Sequence, residues 1–125
     1  MLKLLWVGCG GFLGSAARYL LGGWLNRLAA RALFPYETLT INAAGCLAIG
    51  FLAGLIETRG VLGPEARLFV LVGILGGFTT FSSFGYETFQ LLRDGQALAG
   101  MINVALQVFL GIGAVFAGHV FSRLF

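Results

Sequence analysis

Four long apolar stretches, separated by short polar turns, constrain this chain more than any other feature. They cover about residues 4–25, 38–56, 68–92 and 97–121, and each is long enough to cross the hydrocarbon core of a bilayer as a helix. Only 10% of the 125 residues are charged, against roughly a quarter in soluble domains. The chain is therefore predicted to be a single all-α domain, residues 1–125, that is integral to the membrane.

The third stretch contains a segment that disfavours a continuous helix. Gly76 and Gly77 begin it, and hydroxyl and phenyl side chains then alternate as far as Phe84. Each glycine costs a helix about 1 kcal/mol relative to alanine. Hydrocarbon cannot satisfy the backbone groups that a broken helix releases, so they must face protein, an ion or water. We predict that the third helix unwinds at Gly76 and Gly77 near the bilayer midplane and forms an ion site; the alternative is a flexible kink packed against a neighbouring helix.

The released backbone carbonyls predict a cation site. Four spans are too few to enclose a polar path, so a second copy of the chain is expected to bring two broken helices together. The carbonyl oxygens of Gly76 and Thr79, doubled by symmetry, would then form a compact cage of the kind that hard cations prefer. A cation held there would be structural.

The side chains of the same segment predict an anion site. Phe81 and Phe84 lie three residues apart, on one face of a helix, and phenyl rings are positive at their edges. Ring edges, hydroxyl donors and an amide NH2 together suit a small anion. The hydroxyls come from Thr80, Ser82 and Ser83, and the amide comes from Asn42, which shares a helical stripe with Thr38 and Gly45. Simple packing of the phenyl rings is the alternative.

Two further polar features lie inside the apolar stretches. Arg18 is placed well inside the first span, where it either extends to the lipid headgroups or attracts anions to a vestibule. Asn103, Gln107 and Gly111 recur every four residues in the fourth span. This spacing predicts a stripe that lines water or packs on polar partners. An amphipathic interfacial helix is predicted over 25–34, with Arg27 and Arg31 on one face.

The distribution of basic residues bears on orientation in the membrane. Four basic residues flank the spans on the side of the termini and three on the other side: Lys3, Arg59, Arg67 and Arg123, against Arg27, Arg31 and Arg93. Because cytoplasmic loops normally carry an excess of Lys and Arg, such a small bias permits insertion in either direction. An antiparallel homodimer is one consequence.

Three segments of the chain resemble the Fluc (CrcB-type) fluoride channels, in the order found in that family: Gly10–Tyr19, Thr38–Gly45 and Gly73–Phe84. The resemblance implies an antiparallel, dual-topology dimer with two fluoride pores and a structural Na+ at its centre, bound by the carbonyls of Gly76 and Thr79. It implies pore roles for Asn42, Phe81 and Phe84, a polar track of Thr80, Ser82 and Ser83, a vestibule arginine at Arg18 and a pore-mouth acid at Glu87. The fourth span departs from the family pattern at Asn103, Gln107 and Gly111, although Asn103 and Gln107 could still donate to the track. With Thr38, they complete the expected set of fluoride-pore residues.

The expected function is passive, selective export of fluoride across the cell (inner) membrane, which relieves fluoride toxicity. The expected partners are a second copy or a homologous chain, fluoride and lipid, but no nucleic acid. A small multidrug transporter is the alternative, but it needs an acid in the first span, and no Asp or Glu precedes Glu37. An enzyme is not expected, because one histidine and two cysteines do not make a nucleophile–base pair or a metal cluster.

Overall fold

The computed structural model describes residues 1–28 and 34–125, and it contains four helices long and apolar enough to cross a membrane. They are α1 (Leu2–Leu28), α2 (Tyr36–Arg59), a composite third span (Pro64–Arg93) and α6 (Ala97–Ser122). The all-helical, four-span prediction is therefore confirmed. The first three spans extend a few residues beyond the predicted limits, and the fourth matches them to within one residue. Of the predicted interfacial helix over 25–34, residues 25–28 continue α1, and residues 29–33 lie outside the described residues.

The third span is interrupted near its middle, but not where the sequence predicted. It consists of α3 (Pro64–Arg67), a π-helix (Leu68–Leu75), α4 (Gly76–Phe78) and α5 (Phe81–Arg93). Thr79 and Thr80 are extended, with φ/ψ of −82°/159° and −150°/118°, whereas Gly76 is helical at −64°/−36°. The prediction that the helix unwinds at the two glycines is wrong; it unwinds three residues later.

Packing of Gly77 against α1 helps to explain why the helix continues through the glycine pair. A Cβ on Gly77 would lie 2.6 Å from the carbonyl oxygen of Gly11, and one on Gly73 would lie 2.8 Å from the Cα of Gly10. Glycines at these positions let α1 and the third span approach backbone to backbone, as small residues do between membrane helices. The packing gained along this glycine seam offsets the low helix propensity of its residues.

The second main contact joins α2 and α6 in the same way. Side chains at Gly50 and Gly118 would collide with the backbone of the opposite helix, at Val115 and Leu47 respectively. Gly45 admits the methyl group of Thr79 to the surface of α2. Helix α2 therefore lies beside both α6 and the interruption in the third span, which places its polar stripe at the break.

The core of the single chain is small. Among the described residues, the buried apolar side chains are those of Leu39, Ile41, Leu75 and Leu91. Large apolar side chains point outward instead, as at Phe12 and Phe109, which are 73% and 75% exposed. An outward apolar surface is what a bilayer requires, since lipid replaces water as the solvent. Cys9 and Cys46 are both free thiols.

Candidate functional site

Asn42 makes three hydrogen bonds at the interruption of the third span, two of them to Thr80. Its Oδ1 accepts from the backbone amide of Thr80 at 2.9 Å, and its Nδ2 donates to the carbonyl of Thr80 at 3.0 Å. The same Nδ2 donates to Oε1 of Gln107 on α6 at 3.1 Å. A side-chain amide thus replaces the helical partners of Thr80, which is why the backbone can be extended there at membrane depth.

Two carbonyls are released by this arrangement. In a continuous α-helix the amide of Thr80 would donate to the carbonyl of Gly76, and that of Ser83 to the carbonyl of Thr79. The amide of Thr80 donates to Asn42 instead, and the amide of Ser83 donates to Oγ1 of Thr80 at 3.2 Å. Gly76 is exposed in the single chain, and the nearest atom to a Cβ there would be 4.0 Å away. Among the described residues, the amides of Thr80 and Ser83 therefore do not donate to the carbonyls of Gly76 and Thr79.

The hydroxyl groups predicted to form a track cluster at the start of α5. Oγ1 of Thr80 lies 3.2 Å from Oγ of Ser82 and 3.2 Å from Oγ of Ser83. Thr80 is also the N-cap of α5, because it accepts from the amide of Ser83. The N-terminus of a helix carries partial positive charge, so this end of α5 favours an anion.

The two phenylalanines lie beside this cluster, as predicted. The rings of Phe81 and Phe84 have centroids 5.3 Å apart and an interplanar angle of 67°, so one edge meets the other face. Phe84 is half-buried, whereas Phe81 is 82% exposed. Phe81 therefore projects from the single chain rather than into it.

A cavity of about 370 Å³, called here the central cavity, adjoins the break. Most of the predicted central residues line it: Asn42, Gly76, Thr79, Thr80, Phe81, Phe84 and Gln107. Apolar side chains of α2, the π-helix and α6 complete its wall, including Ile49, Leu71 and Val108. Polar groups converge in an otherwise apolar cavity, which is the usual composition of a binding site.

A second cavity of about 650 Å³, called here the vestibule, contains the predicted charged residues. Its polar lining includes Ser15, Arg18, Thr38, Thr80, Ser83 and Glu87. Arg18 is half-buried there rather than extended away from the protein. Thr80 lines both cavities, so the vestibule and the central cavity adjoin at the break. Ser82 lines neither cavity and stands exposed beside Thr80.

Glu87 is anchored in the vestibule by the second helix. Its Oε1 accepts from Oγ1 of Thr38 at 2.6 Å, while its Oε2 is buried and has no hydrogen-bond partner among the described residues. Glu37, which was not predicted as a site residue, also lines the vestibule; its carboxylate lies against Gly22 and accepts from Nδ2 of Asn26. The sequence could have identified Glu37 as a site residue, because it precedes Thr38 at the start of the same helix.

The three residues of the predicted polar stripe on the fourth span, Asn103, Gln107 and Gly111, lie in different surroundings. Asn103 is fully buried, and its Nδ2 donates to Oγ1 of Thr88 at 2.9 Å. It lines neither cavity and fastens α6 to α5, so the structure does not bring it to the predicted pore. Gln107 reaches the central cavity. Gly111 faces α2, where a Cβ would make ordinary contact with Sγ of Cys46 at 3.6 Å.

Within residues 1–28 and 34–125, no cluster of three or more His, Cys, Asp or Glu side chains could hold a metal ion. His119 lies near the end of α6, with Nδ1 4.0 Å from Oε2 of Glu57. It is remote from the interruption of the third span.

Comparisons with known proteins agree on one family. A family model described as CrcB-like protein, Camphor Resistance (CrcB), matches residues 5–119. The fluoride-specific ion channel FluC of Desulforapulum autotrophicum is 44% identical over 122 residues, which cover 98% of this chain and 97% of the relative. That of Rhizobium meliloti is 44% identical over 123 residues, covering 98% of each chain. That of Elusimicrobium minutum is 46% identical over 118 residues, covering 94% and 91%.

Proposed function

This chain belongs to the CrcB family, and on that basis we propose that it is a passive, fluoride-selective ion channel that exports fluoride. The relatives that it matches over nearly their whole length are named fluoride-specific ion channels. The observation that carries the proposal is the interrupted third span, whose hydroxyls, ring edges and helix N-terminus converge beside a cavity at membrane depth.

The donors at the break suit fluoride. Fluoride is small and strongly hydrated, so removing its water is costly unless strong donors replace it. Thr80 and Ser83 supply hydroxyls within 3.2 Å of each other, and Phe81 and Phe84 supply ring edges. Arg18 raises the local concentration of anions in the vestibule. A larger halide would not fit donors spaced so closely.

The conducting unit is proposed to be an antiparallel homodimer in the cell (inner) membrane. The single chain leaves Phe81 82% exposed and Gly76 open, although both line the central cavity. A second copy, or a homologous chain, would cover this open side and complete the cavity wall. The near-even distribution of Lys and Arg supports insertion in both orientations.

A structural Na+ at the dimer centre fits the released carbonyls. Gly76 and Thr79 each offer an uncharged oxygen on the open side of the break, and a symmetric pair of chains would offer four. Rings of backbone carbonyls replace the hydration shell of monovalent cations in channels. The ion would supply positive charge that holds the two broken helices together.

The chain lacks the group that the alternative function, a small multidrug transporter, requires. Proton-coupled small multidrug transporters use an acid in the first span, whereas α1 contains neither Asp nor Glu. The vestibule acids Glu37 and Glu87 belong to the second and third spans.

Efflux from liposomes tests the proposal. Vesicles loaded with fluoride and reconstituted with the protein are expected to release fluoride rapidly, while vesicles loaded with chloride retain it. An ion-selective electrode measures each anion. Fluoride release no faster than from protein-free vesicles, or equal release of chloride, would contradict the proposed function.

A further inference from the structure

One wall of the vestibule is a stripe of residues on α1. Arg18, Gly22 and Asn26 follow one another at intervals of four residues, so they lie on the same face of the helix, about one turn apart. Gly22 is buried, and a Cβ there would lie 2.8 Å from Cδ of Glu37. The carboxylate of Glu37 also accepts from Nδ2 of Asn26. Glu37 therefore places a negative charge on this stripe, between Arg18 and the C-terminal end of α1.

The charges that line the vestibule are balanced. Arg18 and Arg27 of α1 are positive, whereas Glu37 of α2 and Glu87 of α5 are negative. Their formal charges cancel, so the vestibule as a whole does not attract anions by its net charge. Among the described residues, neither glutamate forms an ion pair with Arg18. An ion in the vestibule is therefore subject to the separate fields of both signs of charge.

We propose that Glu37 limits how strongly the vestibule concentrates small anions, because its charge opposes that of Arg18 about one helical turn away. This inference rests on the proposed fluoride function and identifies a residue that regulates entry to the same site. Glu37 is the acid that lies on the same stripe of α1 as Arg18. Glu87 is held on α5 by Thr38, with its Oε2 buried, so its charge is partly withdrawn from the cavity.

Glu37→Gln removes the charge but keeps the shape of the side chain. Glutamine retains an oxygen that can accept from Asn26, so the contact between α2 and α1 is preserved. The vestibule then gains one net positive charge. Initial efflux at low fluoride and an ionic strength of about 0.01 M is expected to rise about two- to fivefold, the factor for one unit charge at roughly 6–8 Å from the ion in a largely aqueous cavity. At about 1 M ionic strength the Debye length is about 3 Å, so this gain is expected to disappear.

The matched control is Glu57→Gln. Glu57 lies at the other end of α2, its side chain is 68% exposed, and it lines neither cavity. The same chemical change there is expected to leave fluoride efflux unchanged at either ionic strength. The wild-type protein provides a second measurement that needs no substitution. A vestibule with balanced charges predicts that wild-type efflux changes by less than about twofold between the two ionic strengths.

The test measures initial fluoride efflux from proteoliposomes of a zwitterionic lipid, with the ionic strength set by an impermeant salt and size-exclusion profiles to check assembly. Equal efflux through Glu37→Gln and Glu57→Gln at low ionic strength would overturn the inference, because a carboxylate that only fastens α2 to α1 predicts that result. A gain that persists at high ionic strength would also overturn it. If Glu37→Gln does not assemble, wild-type efflux that falls steeply with ionic strength overturns it. A wild-type protein that releases no fluoride would instead refute the proposed function itself.

Discussion

At the scale of single residues, Thr80 connects the parts of the candidate site. Its backbone amide and carbonyl are both bound by Asn42, and its hydroxyl caps α5. It is also common to the vestibule and the central cavity. An anion that passed from one to the other would therefore pass this residue, where hydroxyls replace water.

The exposed ring of Phe81 gives the first prediction at this scale. Phe81→Ile removes a ring with a positive edge but keeps an apolar side chain, so fluoride efflux is expected to fall about tenfold or more, since a polarised group in contact with an ion is worth about 1–2 kcal/mol. Efflux from proteoliposomes measures the effect. The elution volume of the purified protein should stay that of wild type.

Phe109→Ile is the matched control for this prediction. Phe109 is 75% exposed, close to the 82% of Phe81, but it lies on α6 and lines neither cavity. Its substitution should leave efflux unchanged. If the two variants conduct alike, the assignment of Phe81 to the pore is wrong.

At the scale of secondary-structure elements, the glycine seam determines how the site is built. Helix α1 contacts the π-helix and α4 through backbone atoms at Gly10, Gly11, Gly73 and Gly77. This contact places the break beside α2, where Asn42 can reach it. Ser15 adds a hydrogen bond of 3.4 Å to the Gly77 carbonyl. The glycine seam therefore positions the site but contributes no hydrogen-bond donor to an anion.

Alanine at Gly77 tests the seam. The added Cβ would lie 2.6 Å from the Gly11 carbonyl oxygen, a backbone atom that cannot rotate away. Gly77→Ala is expected to lower the free energy of unfolding by about 1–3 kcal/mol, the usual cost of overpacking. Thermal unfolding of the detergent-purified protein measures the change.

Gly113→Ala serves as the control for the seam. No atom lies within 4 Å of a Cβ at Gly113, which is in the middle of α6. Alanine there is expected to be neutral or to stabilise the protein by about 0.5–1 kcal/mol, because it improves helix propensity. Equal melting temperatures for the two variants would show that close contact at Gly77 does not hold α1 in place.

At the scale of the whole molecule, the single chain does not fully enclose the central cavity. Its central cavity is bordered by residues that face outward, and most of its large apolar side chains are on the surface. Lipid can cover the apolar surface, but it cannot satisfy released carbonyls. The proposed antiparallel partner would cover the open side of the break and would present the same released carbonyls to the first chain.

The charge balance gives a prediction about assembly. Asp94→Lys and Gln96→Lys, combined with Lys3→Gln and Arg59→Gln, raise the basic residues on the loop side of the spans from three to five and lower those on the side of the termini from four to two. The chain should then insert mainly in one orientation, which depletes antiparallel pairs. Fluoride efflux from cells should fall several-fold. Labelling of single cysteines from each side of the membrane reports the orientation directly.

A complementary variant provides the control for that experiment. Thr58→Lys combined with Glu65→Lys adds the same charges on the side of the termini, and co-expression of the two variants should restore antiparallel pairs and efflux. Neutral substitutions, Asp94→Asn with Gln96→Asn, should leave both unchanged. Full efflux from a chain with one measured orientation would refute the antiparallel dimer.

The sequence by itself determined the elements and the chemistry of this protein. Apolar stretches of bilayer length can only be helices, because the backbone must satisfy its own hydrogen bonds in lipid. The hydroxyls and phenyl rings of α5 are close neighbours along the chain, so their clustering at Thr80 and Phe81 was predictable from local geometry. The residues Asn42 and Arg18 were likewise identified from polar groups in apolar surroundings.

Only the tertiary structure decided where the third helix breaks and how its backbone is satisfied there. Local propensity placed the break at Gly76 and Gly77, but both residues are helical, and Gly77 packs closely against α1. Thr80 unwinds because Asn42, on another helix, supplies its hydrogen bonds. The same side chain also binds Gln107 on α6. Both outcomes depend on contacts between residues distant in sequence, which helix propensity and periodicity do not contain.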